Sequence, residues 1–167
     1  LKHLSTGELF RHHMCEGTHL GQIAKDYIDR GNLVPDEVVI GMVEEEIKHN
    51  SETKGFLFDG FPRTVAQAEK LDQLMDRCGT KIDCMIALNV KEEVLRKRIR
   101  LRGKTSGRSD DQDEVKISNR IEVYKNETLP VADFYKDKGK YYEVNGAGNI
   151  DAIFGGISRI IEKHSTE

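Results

Sequence analysis

Six arginines, Arg11, Arg63, Arg98, Arg102, Arg108 and Arg120, are each expected at a helix start, a strand tip or a mobile loop. A guanidinium is a planar fork of donors that matches phosphate. Arginines gathered around one sheet edge suit a polyanionic substrate such as a nucleotide. Phosphoryl transfer asks little covalent chemistry of a protein, so converging arginines and Mg²⁺ would carry most of the rate. Arg98 and Arg102 are four apart and share a helix face. The Gly-bounded segment Gly103-Lys104-Thr105-Ser106-Gly107-Arg108 reads as a loop that brings Arg108 back toward them.

Gly55-Phe56-Leu57-Phe58-Asp59-Gly60-Phe61-Pro62-Arg63 reads as a short buried strand opening into a loop. Ligands of α/β proteins sit at such carboxyl ends. Asp59 would stand at the tip, Gly60 would let a ligand approach the backbone, and Pro62 would stiffen the loop. An ordinary turn is the plain alternative. Ser5-x-x-Glu8 has the spacing of a capping box, and an open helix N-terminus attracts anions.

The elements that position these residues follow from periodicity. Lys2-His3-Leu4 is a strand end. Leu20, Ile23, Ala24, Tyr27 and Ile28 form a helical stripe, and Pro35-Asp36-Glu37 opens a helix carrying Val39, Met42, Val43 and Ile47. Thr64-x-x-Gln67 is another capping box, ahead of Ala68, Leu71, Leu74 and Met75. Ile82–Val90 and Tyr141–Val144 read as strands. Between them lie a helix with Val94, Leu95 and Ile99 inward, and a second that opens on Asp110–Glu114, carries Arg120 and is interrupted at Pro130. A helix from Ile150 to Lys163 closes the chain. Strand-helix alternation predicts an α/β fold with one parallel sheet flanked by helices, in one domain, 1–167.

The composition narrows the classes further. With 167 residues, 33% of them charged and 37% hydrophobic, the chain can bury one core and has no run long enough to span a membrane. A net charge of −3 speaks against a dedicated nucleic-acid or membrane binder. Cys15, Cys78 and Cys84 form no Cys-x-x-Cys pair, so a reduced cytoplasmic setting is expected and no zinc knuckle. The histidines have no ligand spacing.

Leu4–Leu9, Gly31-Asn32-Leu33-Val34-Pro35, Gly55–Thr64 and Gly107-Arg108-Ser109-Asp110-Asp111 resemble, in order, the signatures of the adenylate kinase family. The resemblance implies a P-loop nucleoside monophosphate kinase fold and the reaction Mg-ATP plus AMP to two ADP. It places AMP at Thr6, Arg11, Asn32, Leu33, Val34, Gly60, Phe61, Pro62, Arg63 and Gln67, with Arg108 and Arg120 reaching it, and sets the AMP-binding part at about 6–50. Gln67 would read an adenine edge. Asp59 would orient Mg²⁺ through water, Arg102 would serve ATP, and Arg98, Arg108 and Arg120 would close over the phosphates. Gly148 would offer its carbonyl to the ATP adenine. The lid, about 102–109, is of the short type without zinc cysteines. A monomer is expected, with nucleotides as its partners and neither nucleic acid nor membrane.

The spacing from Asp110 to Arg120 is one residue longer than the pattern suggests. The family's phosphate cradle, Gly-x-x-x-x-Gly-Lys, occurs nowhere in the sequence. The resemblance therefore implies that the first strand, P-loop and first helix, about 25 residues, would precede Leu1 in a longer protein. Other readings are a pyrimidine nucleoside monophosphate kinase, a non-catalytic AMP-binding fragment, and a nucleic-acid binder built on Arg96–Lys104.

Overall fold

The computed structural model describes residues 1–165. Strand β1 (Lys2–Ser5) ends at Ser5, whose hydroxyl oxygen accepts the Glu8 N–H and caps α1 (Thr6–Cys15). Helix α2 (His19–Ile28) is capped by Thr18, which takes the Gly21 N–H at 3.0 Å. Helix α3 (Asp36–His49) follows Pro35 and carries Asp36 and Glu37 in its first turn, where acidic groups favour the helix dipole. Its expected stripe of Val39, Met42, Val43 and Ile47 is buried. Together with Leu4, Phe10, Ala24, Val34, Phe61, Leu71, Leu74 and Met75 it forms the largest core cluster.

Strand β2 (Phe56–Asp59) pairs in parallel with β1, and β3 (Met85–Asn89) in parallel with β4 (Tyr141–Asn145). The single sheet expected from strand-helix alternation is therefore two sheets, each two-stranded, and β2 and β3 are not hydrogen-bonded to one another. Helices join the sheets instead. Ala68 of α4 (Val65–Arg77) and Val131 and Tyr135 of α7 (Leu129–Asp137) form a cluster that also takes in Met85 and Tyr141. Nor are the strands buried on both faces. Phe56 and Phe58 are half-buried, but Leu57 is 42% and Leu88 48% exposed. Residues of both small sheets line an open cleft.

Helix α5 (Glu92–Ser106) runs further than the glycine pattern suggests, because Gly103–Ser106 continues the helix and only Gly107, left-handed at φ 65°, ends it. A single 3-10 turn at Ser109–Asp111 then leads to α6 (Glu114–Val123), capped by Asp113. Pro130 does not stop the helical run. Lacking an N–H, it cannot join an ordinary helical ladder. The chain widens into a π-helical turn, Tyr124–Thr128, with Leu129 N–H donating to the Tyr124 carbonyl, and proceeds as α7. Helix α8 (Ile150–Ser165) follows β4. The cysteines are free thiols. No helix among the described residues is long and apolar enough to cross a membrane.

Candidate active site

The site begins at the carboxyl ends of β1 and β2. Their register sets Ser5 beside Asp59, so the start of α1 and the loop after β2 share one sheet edge. Thr6, 3% exposed, donates its hydroxyl to the Gly60 carbonyl at 3.0 Å, and Arg63 Nε donates to the same oxygen at 2.7 Å. Gly60 has φ 73°, and a Cβ there would lie 2.9 Å from the Arg63 guanidinium and 3.3 Å from the Thr6 hydroxyl. Backbone strain and crowding both demand glycine. Phe61 is buried against Phe58, and the Phe61–Pro62 peptide is cis.

Arg63 is held at both ends of its backbone. Its N–H donates to Gln67 Oε1 at 2.8 Å, and its carbonyl accepts the Thr128 hydroxyl at 2.8 Å. Gln67, 2% exposed, donates from Nε2 to Asp36 Oδ1 at 2.7 Å, and Thr64 donates to the same oxygen at 3.1 Å. An accept-only carboxylate on one side and a donate-only amide on the other leave the Gln67 carboxamide a single orientation. Arg11 curls back over the first turn of its helix: a Cβ on Gly7 would lie 3.1 Å from its Nη1. Asn32, Leu33 and Val34 line the same cleft as Thr6, Arg11 and Gly60–Arg63, a space of about 2150 Å³.

Arg98, Arg102, Arg108 and Arg120 also line it. Arg102 grips the fully buried Asp111 through two hydrogen bonds, 2.5 and 2.9 Å, and Arg120 bridges Asp110 and Asp111, the latter at 3.0 Å. Hydrogen bonding to Asp111 raises the Arg102 pKa above its ordinary value. Arg63 and Arg108 have no carboxylate in ion-pair contact among the described residues. Burial lowers the Arg63 pKa, and the nearby Arg120 charge lowers it further. Arg108 is lowered by burial first, then by Arg102 and Arg11. Guanidinium groups stay charged under all ordinary conditions, so both shifts record first the burial of a charged group and then the crowding of guanidiniums around it.

The sequence profile of the family described as "Adenylate kinase" matches residues 1–140. The chain is 48% identical over 161 residues to the adenylate kinase of Flavobacterium psychrophilum, covering 96% of this chain and 85% of that one. It is 42% identical to that of Bacteroides thetaiotaomicron, covering 98% and 86%, and 44% identical to that of Porphyromonas gingivalis, covering 97% and 83%. The chain belongs to the adenylate kinase family. It is an enzyme of the kinase and transferase class, built to bind nucleotides.

Within this adenylate kinase fold two sequence-predicted residues stand apart. Arg98 donates to the Gly146 carbonyl at 2.7 Å, so it braces the turn after β4 as well as lining the cleft. Gly148, in that turn, is not among the cleft-lining residues. The rest of the basic run is matched by carboxylates of the same chain: Arg96 pairs with Glu92 and Arg100 with Glu114. Asp59 is exposed at the tip of β2, with His3 Nε2 3.3 Å from its Oδ2. A single exposed carboxylate fits Mg²⁺, a cation that keeps most of its waters and takes its other ligands from phosphate.

Several residues of the site carry no signal as single letters. Asp110 and Asp111 read as acidic residues of a helix start; instead, α6 begins three residues beyond Asp111 and both turn inward onto arginines. Asp36 reads as first-turn decoration but anchors Gln67. Thr128, the last residue of the π-helical turn, donates to the Arg63 carbonyl, a contact between residues 65 apart in the chain.

Proposed function

We propose that the protein catalyses the reversible transfer of the γ-phosphoryl group of Mg-ATP to AMP, giving two ADP. An AMP phosphate oxygen attacks the γ-phosphorus, the bond to the β–γ bridging oxygen breaks, and ADP leaves with that oxygen. No covalent enzyme intermediate is needed. The observation that carries this reading is the set of six arginines lining one cleft, four of which, Arg11, Arg63, Arg98 and Arg108, have no carboxylate in ion-pair contact among the described residues. Such groups serve the charge spread over the transferring phosphoryl oxygens.

AMP is assigned to the β1–β2 edge. Its phosphate would take Arg11, Arg63 and the positive end of α1, and its ribose and base the Asn32–Val34 backbone and Gly60–Pro62. The locked carboxamide of Gln67 supports adenine as the base, since an amide of fixed orientation distinguishes donor from acceptor edges. Arg108 and Arg120 sit between acceptor and donor. Arg102 and Arg98 are assigned to the ATP side together with Gly148, for which the support is the motif alone. Asp59 would hold Mg²⁺ through its waters, and the bound ion supplies neutralisation of phosphate charge. The protein itself orients the phosphates and shields them from water.

Measuring ADP formation from Mg-ATP with AMP, CMP or UMP as acceptor tests the reading. AMP is expected to be preferred by at least about tenfold in kcat/KM, because a mismatched base leaves buried polar groups unpaired. CMP or UMP winning would overturn it.

A further inference from the structure

The loop between α2 and α3 touches the molecule at a second place, away from β1 and β2. Asn119 of α6 donates from Nδ2 to the Arg30 carbonyl at 2.7 Å and to Asn32 Oδ1 at 2.9 Å. Gly31, between these partners, has φ 74°, and a Cβ there would lie 2.8 Å from the Lys116 carbonyl and 3.5 Å from the Arg120 amide nitrogen. The backbone of the loop thus rests on the backbone of α6, and only glycine permits that approach. Asn119 closes the joint with both amide hydrogens. Its neighbour Arg120 projects into the arginine and aspartate network.

We infer that Asn119 is a positioning residue for the acceptor nucleotide, fixing the Arg30–Val34 loop against the helix that carries Arg120. This rests on the proposed assignment of AMP to that loop. Two separately encoded parts of the cleft meet here: the loop that would line the AMP base and ribose, and the helix that sets one of the phosphate-facing cations. A hydrogen bond from each amide hydrogen fixes their spacing and tilt. Without Asn119 the loop keeps its core anchor, buried Val34, but loses its register against Arg120. AMP must then order the loop on binding, and its affinity falls. The residues assigned to ATP, Arg98 and Arg102, make no hydrogen bond to Asn119, Arg30 or Asn32, so ATP affinity is expected to hold.

The test is AMP affinity by calorimetry, together with KM values for AMP and ATP, in the wild-type protein and two variants. Asn119 is half-buried and caps no helix, so its substitution is expected to leave the fold intact, which an unchanged circular dichroism spectrum would check. Asn119→Ala is expected to weaken AMP binding about tenfold, as expected for two lost hydrogen bonds, while the ATP KM moves by less than about twofold. Asn119→Asp keeps the size but turns a donor into an acceptor facing two acceptors, and is expected to weaken AMP at least as much. Adding Asn32→Ala to Asn119→Ala is expected to cost little more, because the Asn32 side chain would act through Asn119. Unchanged AMP affinity in either single variant would overturn the inference. So would equal rises for AMP and ATP, which mark a general disturbance. A wild-type protein that binds no AMP would overturn the reading beneath it as well.

Discussion

Arg108 shows how little a cation's identity says without its surroundings. Arg100 and Arg108 are the same residue type eight positions apart, yet Arg100 spends its charge on the exposed Glu114. Arg108 faces the cleft with Arg102 and Arg11 as neighbours and has no carboxylate in ion-pair contact among the described residues. The first is surface electrostatics, of small worth in water. The second is, on the proposed function, a charge available to the substrate phosphates. Arg108→Ala is accordingly expected to lower kcat by about 10²–10³, the usual cost of removing one donor aimed at transition-state charge. The Kd for AMP should change by only a few-fold, because Thr6, Arg11 and Arg63 remain. Steady-state kinetics beside calorimetry would check this, and unchanged turnover would remove Arg108 from the chemistry.

At the scale of elements, the short connection between α5 and α6 holds the cation pocket together. It places Asp110 and Asp111 in one 3-10 turn, and the buried Asp111 carboxylate accepts hydrogen bonds from Arg102 on one helix and Arg120 on the next. Breaking a buried pair costs more than forming it returns, since the remaining charges stay behind unpaired. Asp111→Asn is therefore expected to destabilise the protein by about 2–3 kcal/mol, toward the low end because both arginines are partly exposed. By thermal denaturation this is a fall in melting temperature of about 5–10 °C. An unchanged melting temperature would mean that the network serves the ligand alone. The π-helical turn works in a similar way: Pro130 forces the widening, and the widening delivers Thr128 to the Arg63 carbonyl.

For the whole molecule, exposed hydrogen-bonded carboxylates shape the acid side of the stability profile. Hydrogen bonds from Lys125 and Arg96 lower the Glu92 pKa below 4.5, and the hydrogen bond from Arg100 does the same for Glu114. Lys48 acts likewise on Glu44, and Asn89 and Tyr141 on Glu143. A carboxylate whose folded pKa is depressed contributes stability in full above its unfolded value and loses it as pH falls through the folded value. The melting temperature should thus be flat from about pH 7 down to pH 5 and decline below about 4.5. At pH 7, added salt should change it little, since exposed pairs are weak and screened. Melting curves across pH and ionic strength would check both, and a decline starting near pH 6 would point to histidine instead.

Local signals decided much of this protein in advance. Ser5, Thr64 and Asp113 cap helices, the α3 and α4 stripes are buried, Lys2–Ser5 and Phe56–Asp59 are strands, and the Asp59–Arg63 turn forms the centre of the candidate site. Caps, periodicity and turn chemistry act within a few residues, so they are written in order along the chain. What only the tertiary structure decided is the pairing of residues far apart in sequence. Asn119 with Asn32, Gln67 with Asp36, and Thr128 with Arg63 are ordinary polar residues until folding brings them together. The division into two sheets belongs to the same class, because strand pairing joins segments far apart in the chain. Hydrogen bonds and charges act over a few ångströms of space, and a sequence orders residues only along the chain.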